Sequence, residues 1–251
     1  MYNLAFANQK GGSSKTTGAL AIGQAIAKAG HRVLFVDCDP QANLTKAIIT
    51  DEPGAGLYEV LTTTAPMASI IKQARNGAII AADGRLTSLN INERADLRRL
   101  RERLKAVRND YDIALFDTAP AVSMLTLFAL FAADGVVVPL TPDRFAVDGL
   151  TAFSETFQQT KAARISAGIT DNVTLLGVIL SQFNNRAVLH KNLFEVLTEI
   201  TTGMNTKLYH PVRHTVAARE WTFTGDAFAT TSTAATDYLE ISKQIIEDIG
   251  L

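Results

Sequence analysis

The sequence predicts a doubly wound, mostly parallel α/β sheet, and three observations carry that expectation. Short apolar runs at residues 4–7, 33–36 and 113–116 lack the alternation of a half-exposed strand, as strands covered on both faces do. Longer helix-like stretches separate them, which is the pattern of βαβ units. The run Lys10-Gly11-Gly12-Ser13-Ser14-Lys15-Thr16-Thr17 stands between the first strand and the first helix, where open α/β sheets hold their ligands.

Taken in order, the first strand is expected over residues 3–8. Residues 16–29 are rich in Ala, Leu and Ile and read as a helix, with Gly30 where a C-terminal cap belongs. The next two strands each end in an aspartate, Asp37 and Asp117. Further strands are expected at 135–140 and 175–181, and further helices at 94–108, 125–133, 146–163, 188–201 and 237–249. The Ser/Thr/Ala-rich run 229–236 reads as a short loop. With no Pro- or Gly-rich linker and no internal repeat, residues 1–251 are expected to form one domain.

Composition narrows the function classes. An apolar content of 47% and a charged content of 20% are ordinary for a globular chain. The single cysteine, Cys38, excludes a disulfide framework and a four-cysteine zinc site within one chain, and fits a reducing cytoplasm. A net charge of −1 argues against a basic nucleic-acid coat, so DNA binding would need a local patch. No run of about 18 uncharged apolar residues suggests a membrane span, and the opening segment has no signal-peptide pattern.

Backbone N–H groups at a helix N-terminus bind an anion, and glycines let the backbone approach it. Gly11 and Gly12 would supply such a loop, with Ser13, Ser14 and Thr17 completing it. Lys15 would neutralise phosphate charge and the Thr16 hydroxyl would bind Mg²⁺. The pattern here is K-G-G-x-x-K-[ST], with Lys10 at its head. It resembles the deviant Walker A box of the ParA/MinD ATPases. Asp37-Cys38-Asp39-Pro40-Gln41-Ala42-Asn43 resembles that family's second box, and the strand ending in Asp117, followed by Thr118-Ala119-Pro120, resembles its Walker B segment.

The resemblance is strong over residues 1–150 and looser beyond. It implies a P-loop fold, ATP and Mg²⁺ as ligands, and ATP hydrolysis. Lys10 would reach a partner's nucleotide across an ATP-dependent homodimer, Asp39 would orient the attacking water, and Asp37 and Asp117 would serve the Mg²⁺ site with Thr16. Pro211 and Arg213 fall where the family contacts adenine. The family has glycine where this chain has Ser14. A left-handed backbone there would strain serine by on the order of 1 kcal/mol, which leaves open a nucleotide binder with little turnover.

Two readings of the cargo follow. A ParA/Soj-type partition ATPase would hold DNA without sequence preference and meet a ParB-like centromere-binding adaptor that stimulates hydrolysis. A MinD-like regulator would instead dock on membrane through a basic amphipathic helix. Residues 238–251 carry Glu240, Glu247 and Asp248 against Lys243 alone, which disfavours membrane docking. The sequence therefore favours the partition reading, with a cytoplasmic, nucleoid-associated location.

Candidate DNA contacts are Arg186, Lys191, Arg213 and Arg219, with His190 nearby. A second basic stripe, Arg94, Arg98, Arg101, Lys105 and Arg108, shares one helix face, but Glu93, Asp96 and Glu102 favour an ordinary solvated surface. No aromatics interleave with either set, so phosphate contact is expected rather than base stacking. No N-terminal helix-turn-helix domain is expected ahead of the first strand. An iron–sulfur relative of the same P-loop is excluded, because Cys38 alone cannot supply two thiolates per subunit.

Overall fold

A computed structural model describes residues 1–52, 54–89, 96–121, 123–229 and 231–251, without the side chain of Arg219. Eight strands form one sheet: β1 (Tyr2–Phe6), β2 (Val33–Cys38), β3 (Lys72–Ala74), β4 (Gly77–Ile80), β5 (Ile113–Thr118), β6 (Gly135–Leu140), β7 (Thr174–Leu180) and β8 (Lys207–Leu208). Their spatial order is β3-β4-β2-β5-β1-β6-β7-β8, and all neighbours are parallel except the β3–β4 hairpin. The order reverses around β1, so its C-terminal end opens a crevice between diverging crossovers.

The absence of alternation in the central strands has a direct cause. Leu4, Phe6, Val33, Phe35, Ile113 and Leu115 pack into one core layer. Ala5, Ala7, Leu34, Val36, Ala114 and Phe116 pack into the layer on the opposite face. Both faces are dry, so these positions are apolar on both sides, and the buried polar residues Asp37, Asp117 and Thr118 come at the strands' C-terminal ends.

The helices are α1 (Lys15–Lys28), α2 (Asn43–Ile48), α3 (Leu57–Thr62), α4 (Met67–Ile70), α5 (Arg99–Leu104), α6 (Met124–Ala132), α7 (Ala146–Ser166), α8 (Val188–Gly203), α9 (Ala217–Thr224) and α10 (Thr233–Ile249). Helix α1 lies close on the sheet because Gly23 has no side chain. A Cβ there would stand 2.3 Å from the Phe35 ring and 2.6 Å from a Leu115 methyl. This fit sets where the N-terminus of α1 points, and hence where the phosphate loop sits. On its outer side α1 meets α10, whose Tyr238, Ile241 and Ile245 are fully buried.

Several elements depart from the sequence expectation. The helix expected at 94–108 is the short α5 followed by a 3₁₀ turn over Lys105–Val107, because the Asp96 carbonyl and carboxylate turn the chain at Arg98 and Arg99. Arg94 lies outside the described residues. The 229–236 run is not all loop: Ser232 accepts the Ala235 amide at 3.1 Å and starts α10 at Thr233. Strands β3, β4 and β8 carry three, four and two residues, too short for periodicity to register.

Candidate nucleotide site

The loops after β1, β2, β5 and β7 enclose a cavity of about 720 Å³. Ser14 precedes α1 with φ 68° and ψ 27°, a left-handed conformation. Gly12 is also left-handed, with φ +70°, which glycine adopts without steric cost. These two turns bring the loop around the N-terminus of α1, where unpaired amides favour an anion. Ser13, Ser14, Thr16 and Thr17 line the cavity with Gly12 and Lys15, whereas Gly11 is exposed just outside it.

Lys15 is buried, and its ammonium donates to the carbonyl of Lys10 at 3.1 Å. Burial lowers its pKa, while Asp117 and Asp39 draw it back up. Lys10 is turned toward α7. Its ammonium donates to Asp143 in the loop before α7 and lies 5.8 Å from the centre of the Phe145 ring.

Asp37 and Asp117 face each other in register on β2 and β5, both fully buried. Asp37 is hydrogen-bonded throughout. One oxygen accepts the Asp39 amide at 3.0 Å, and the other accepts the Thr45 amide and hydroxyl at 2.9 and 2.8 Å. Burial nonetheless raises its pKa to about 6 against those bonds. Through Thr45, whose hydroxyl also accepts the Ala82 amide, Asp37 ties β2, α2 and the end of β4 together.

Asp117 is the opposite case. Neither of its oxygens makes a hydrogen bond of ordinary geometry. Burial drives its pKa well above the usual carboxylate range and Asp37 adds to this, while the nearby Thr16 hydroxyl and Lys15 ammonium favour the ionised form. A buried carboxylate offset only by a threonine hydroxyl and one nearby ammonium, and facing a second carboxylate, is short of positive charge. Its surroundings suit a hard divalent cation shared with phosphate oxygens.

Asp39 lies at the cavity wall, with one oxygen accepting the Gln41 amide at 2.9 Å. Lys15 and Asp39 thus line one crevice, with Asp117 buried within electrostatic reach of Lys15, while the Lys10 side chain turns aside to Asp143. The chain belongs by this measure to a phosphate-binding fold, and comparison with known proteins narrows it. A family model described as an AAA domain matches residues 1–170. The chromosome partitioning protein ParA of Caulobacter vibrioides is 34% identical over 218 residues, covering 83% of this chain and 79% of that protein.

The chain belongs to the ParA/Soj family of partitioning ATPases.

The chromosome-partitioning ATPase Soj of Thermus thermophilus is similar too, at 33% identity over 74% of this chain and 71% of that one. Among solved structures, cobyrinic acid a,c-diamide synthase from Mycobacterium smegmatis, with bound ADP and magnesium, aligns with a TM-score of 0.82 at 26% identity. That alignment covers 99% of this chain and 95% of the other. In this ParA/Soj-family ATPase the remaining expected site residues are distributed unevenly. Arg213 lines the cavity, but its guanidinium is held by the buried Asp237 of α10, with a shortest contact of 2.6 Å. Pro211 lines a smaller adjoining recess of about 190 Å³.

Arg186 borders another recess, of about 560 Å³, and Lys191 is exposed on α8. The Arg219 side chain lies outside the described residues. Of the α5 stripe, Arg101 is clamped between Asp134 and Asp171, Arg98 pairs with Asp96, and Lys105 with Glu102. The sequence reading missed Asp143 and Gln182. Neither belongs to a motif quoted above, and only the spatial neighbourhood of Lys10 and Ser14 reveals them.

Proposed function

We propose that this ParA/Soj-family ATPase is a DNA-partition switch that binds Mg²⁺–ATP in the crevice at the end of β1, dimerises around it and then holds DNA without sequence preference. The gathering of the Gly12–Thr17 loop, Lys15 and Asp39 around one cavity, with the buried Asp117 beside Lys15, supports this reading. Thr16 and Asp117 would hold Mg²⁺, which supplies charge neutralisation across the phosphates when bound. Among the described residues no group of three or more His, Cys, Asp or Glu forms a cage of its own. A cation held by few protein ligands and completed by phosphate and water is the usual arrangement for nucleotide sites.

Within that arrangement, the first-turn amides of α1 and the Lys15 ammonium bind the phosphate chain. Lys15 must then leave the Lys10 carbonyl it occupies in the free chain. Asp39 orients the attacking water, and Asp37 keeps the Asp39 loop in place through its bonds to Asp39 and Thr45. Lys10 leaves Asp143 and reaches the partner's nucleotide, completing the water-excluded site between two copies. Pro211 and Arg213 are the proposed adenine contacts, Arg213 from the cavity wall and Pro211 from the adjoining recess.

Support for DNA over membrane comes from the packing of α10. Apart from the exposed Leu239, its large apolar residues are spent on α1 and the sheet, and Glu240, Glu247 and Asp248 dominate its polar side. Among the described residues no helix is long and apolar enough to cross a membrane. Arg186, which borders a recess beside the nucleotide cavity, and Lys191, exposed on α8, are the basic contacts proposed for phosphates, with Arg219 as a third candidate. A ParB-like adaptor would stimulate hydrolysis and reset the switch in a cytoplasmic, nucleoid-associated cycle.

The decisive experiment is DNA retention with ATP, ADP and no nucleotide, using wild type, Lys15→Ala and Asp39→Ala. ATP-dependent retention is expected, lost in Lys15→Ala and prolonged in Asp39→Ala. Equal retention in all three states would sink the switch, and selective capture on anionic vesicles would point to a MinD-like regulator instead.

A further inference from the structure

Among the described residues, four of the six non-glycine positions with left-handed backbone follow strands at the nucleotide end of the sheet, the other two being Asn76 and Asn205 in turns elsewhere. Ser14 follows β1, Ala42 follows β2, Ala121 follows β5 and Gln182 follows β7, with φ of 68°, 55°, 139° and 58°. Such conformations are disfavoured for L side chains and persist where surrounding structure holds them, often at working sites. Two of the four, Ser14 and Gln182, face each other across the cavity and touch. The Gln182 amide nitrogen lies 3.4 Å from Ser14 Oγ and 3.5 Å from the carbonyl oxygen of Gly12.

The direction of this contact matters. An amide NH₂ is a donor only, so Ser14 Oγ accepts from Gln182 and its own proton remains free. A serine preceding a helix usually spends its side chain on an amide of the first turn. Ser14 does not cap α1, because its left-handed backbone turns the side chain away. The first-turn amides therefore stay available to an anion, and a hydroxyl proton is added beside them in the same cavity.

We propose that Ser14 supplies this hydroxyl as an extra side-chain donor to the phosphate chain of a nucleoside polyphosphate, and that Gln182 is the positioning residue that aims it. The proposal rests on the nucleotide-site reading above and goes beyond it. A glycine at position 14 would offer the loop only its backbone N–H. The serine adds a hydrogen bond, and Gln182 keeps the hydroxyl from turning its proton elsewhere.

The test is a double-mutant cycle on nucleotide affinity in the presence of Mg²⁺, measured by calorimetry with ADP and with a non-hydrolysable ATP analogue. Ser14→Ala keeps the left-handed strain but removes the hydroxyl. Gln182→Met keeps the length of the side chain but removes the donor. Each is expected to weaken binding about three- to tenfold, as loss of one neutral hydrogen bond does, and the double variant to be no weaker than Ser14→Ala alone. Gln182→Glu, whose carboxylate would accept the serine proton, is expected to bind more weakly than Gln182→Met, with an unchanged melting temperature.

Unchanged affinity in Ser14→Ala, or fully additive losses in the double variant, would overturn the proposal. Lys15→Ala separates the two levels of the argument. If wild type binds nucleotide, Lys15→Ala does not and Ser14→Ala is unaffected, only the hydroxyl donor is wrong. If wild type binds neither nucleotide, the site reading itself fails and the donor with it.

Discussion

The ammonium of Lys10 is held in cis by the carboxylate of Asp143. Asp143 is itself fixed: one oxygen accepts the Phe145 amide at 2.9 Å, and the other accepts the Thr141 hydroxyl at 2.9 Å. Partial burial raises its pKa, but Lys10 and these two donors outweigh that and hold it below the usual carboxylate range. Both residues are about one-third exposed, at 35% and 37%. The pair is therefore breakable, because solvent screens it.

If Lys10 must leave Asp143 to serve a partner's nucleotide, Asp143→Asn removes a competitor. The variant is expected to dimerise more tightly with a non-hydrolysable ATP analogue, by up to about fivefold, the range of a partly exposed ion pair. Sedimentation at several protein concentrations measures it. A weaker or unchanged dimer would mean that the contact does not oppose assembly.

Asp117 sets fold stability against function. Its pKa is raised in the folded chain by burial and by Asp37, so folding favours the protonated form. The stability associated with this group is complete below the unfolded-state pKa and is lost as pH rises through the folded-state value. Asp117→Asn is expected to stabilise the nucleotide-free protein near pH 8 by about 1–2 kcal/mol. That advantage should shrink toward pH 4, and Mg²⁺-dependent nucleotide binding should be lost. Thermal melts across pH, with and without Mg²⁺ and ADP, provide the check, and a pH-independent difference would contradict it.

Gly23 has no contact with the nucleotide crevice, yet it governs how α1 sits. Gly23→Ala places a methyl 2.3 Å from the Phe35 ring, which is expected to cost about 1–3 kcal/mol through overpacking. Lifting α1 should also weaken nucleotide binding, since the phosphate loop is its N-terminal extension. Urea unfolding of the variant gives the first number and calorimetry the second. Wild-type stability in the variant would show that the core yields at this point.

The basic candidates for DNA contact separate by what already holds them. Arg186→Ala and Lys191→Ala are each expected to reduce the slope of log affinity against log salt by about 1, uniformly across DNA sequences. Arg213→Ala should behave differently, because it removes the guanidinium from the carboxylate of Asp237, which is 2% exposed, and leaves it only the residue-213 amide and His210. Its main effect is expected on folding stability, seen in a lowered melting temperature before any DNA is added. DNA affinities across a salt series, compared with melting temperatures, distinguish the two outcomes.

By itself the sequence determined the central strands, the long helices and the phosphate loop. Fully buried parallel strands must be apolar on both faces, and a glycine-rich loop running into a helix carries its anion chemistry in consecutive residues. Asp39 and Asp117 were legible for a related reason, since each stands at or just beyond the end of an apolar run. The tertiary structure alone decided the contacts between distant segments. It set Lys10 on Asp143, buried Asp117 beside Asp37 with the Thr16 hydroxyl and Lys15 ammonium nearby, locked Arg101 and Arg213 into ion pairs that removed them from the free basic surface, and brought Gln182 against Ser14. These relationships depend on side chains more than 20 residues apart meeting at strand ends, and no local periodicity encodes such meetings. The serine at position 14 shows both halves of the lesson: its left-handed backbone could be expected from the motif, but the use of its hydroxyl depends on a residue that only folding delivers.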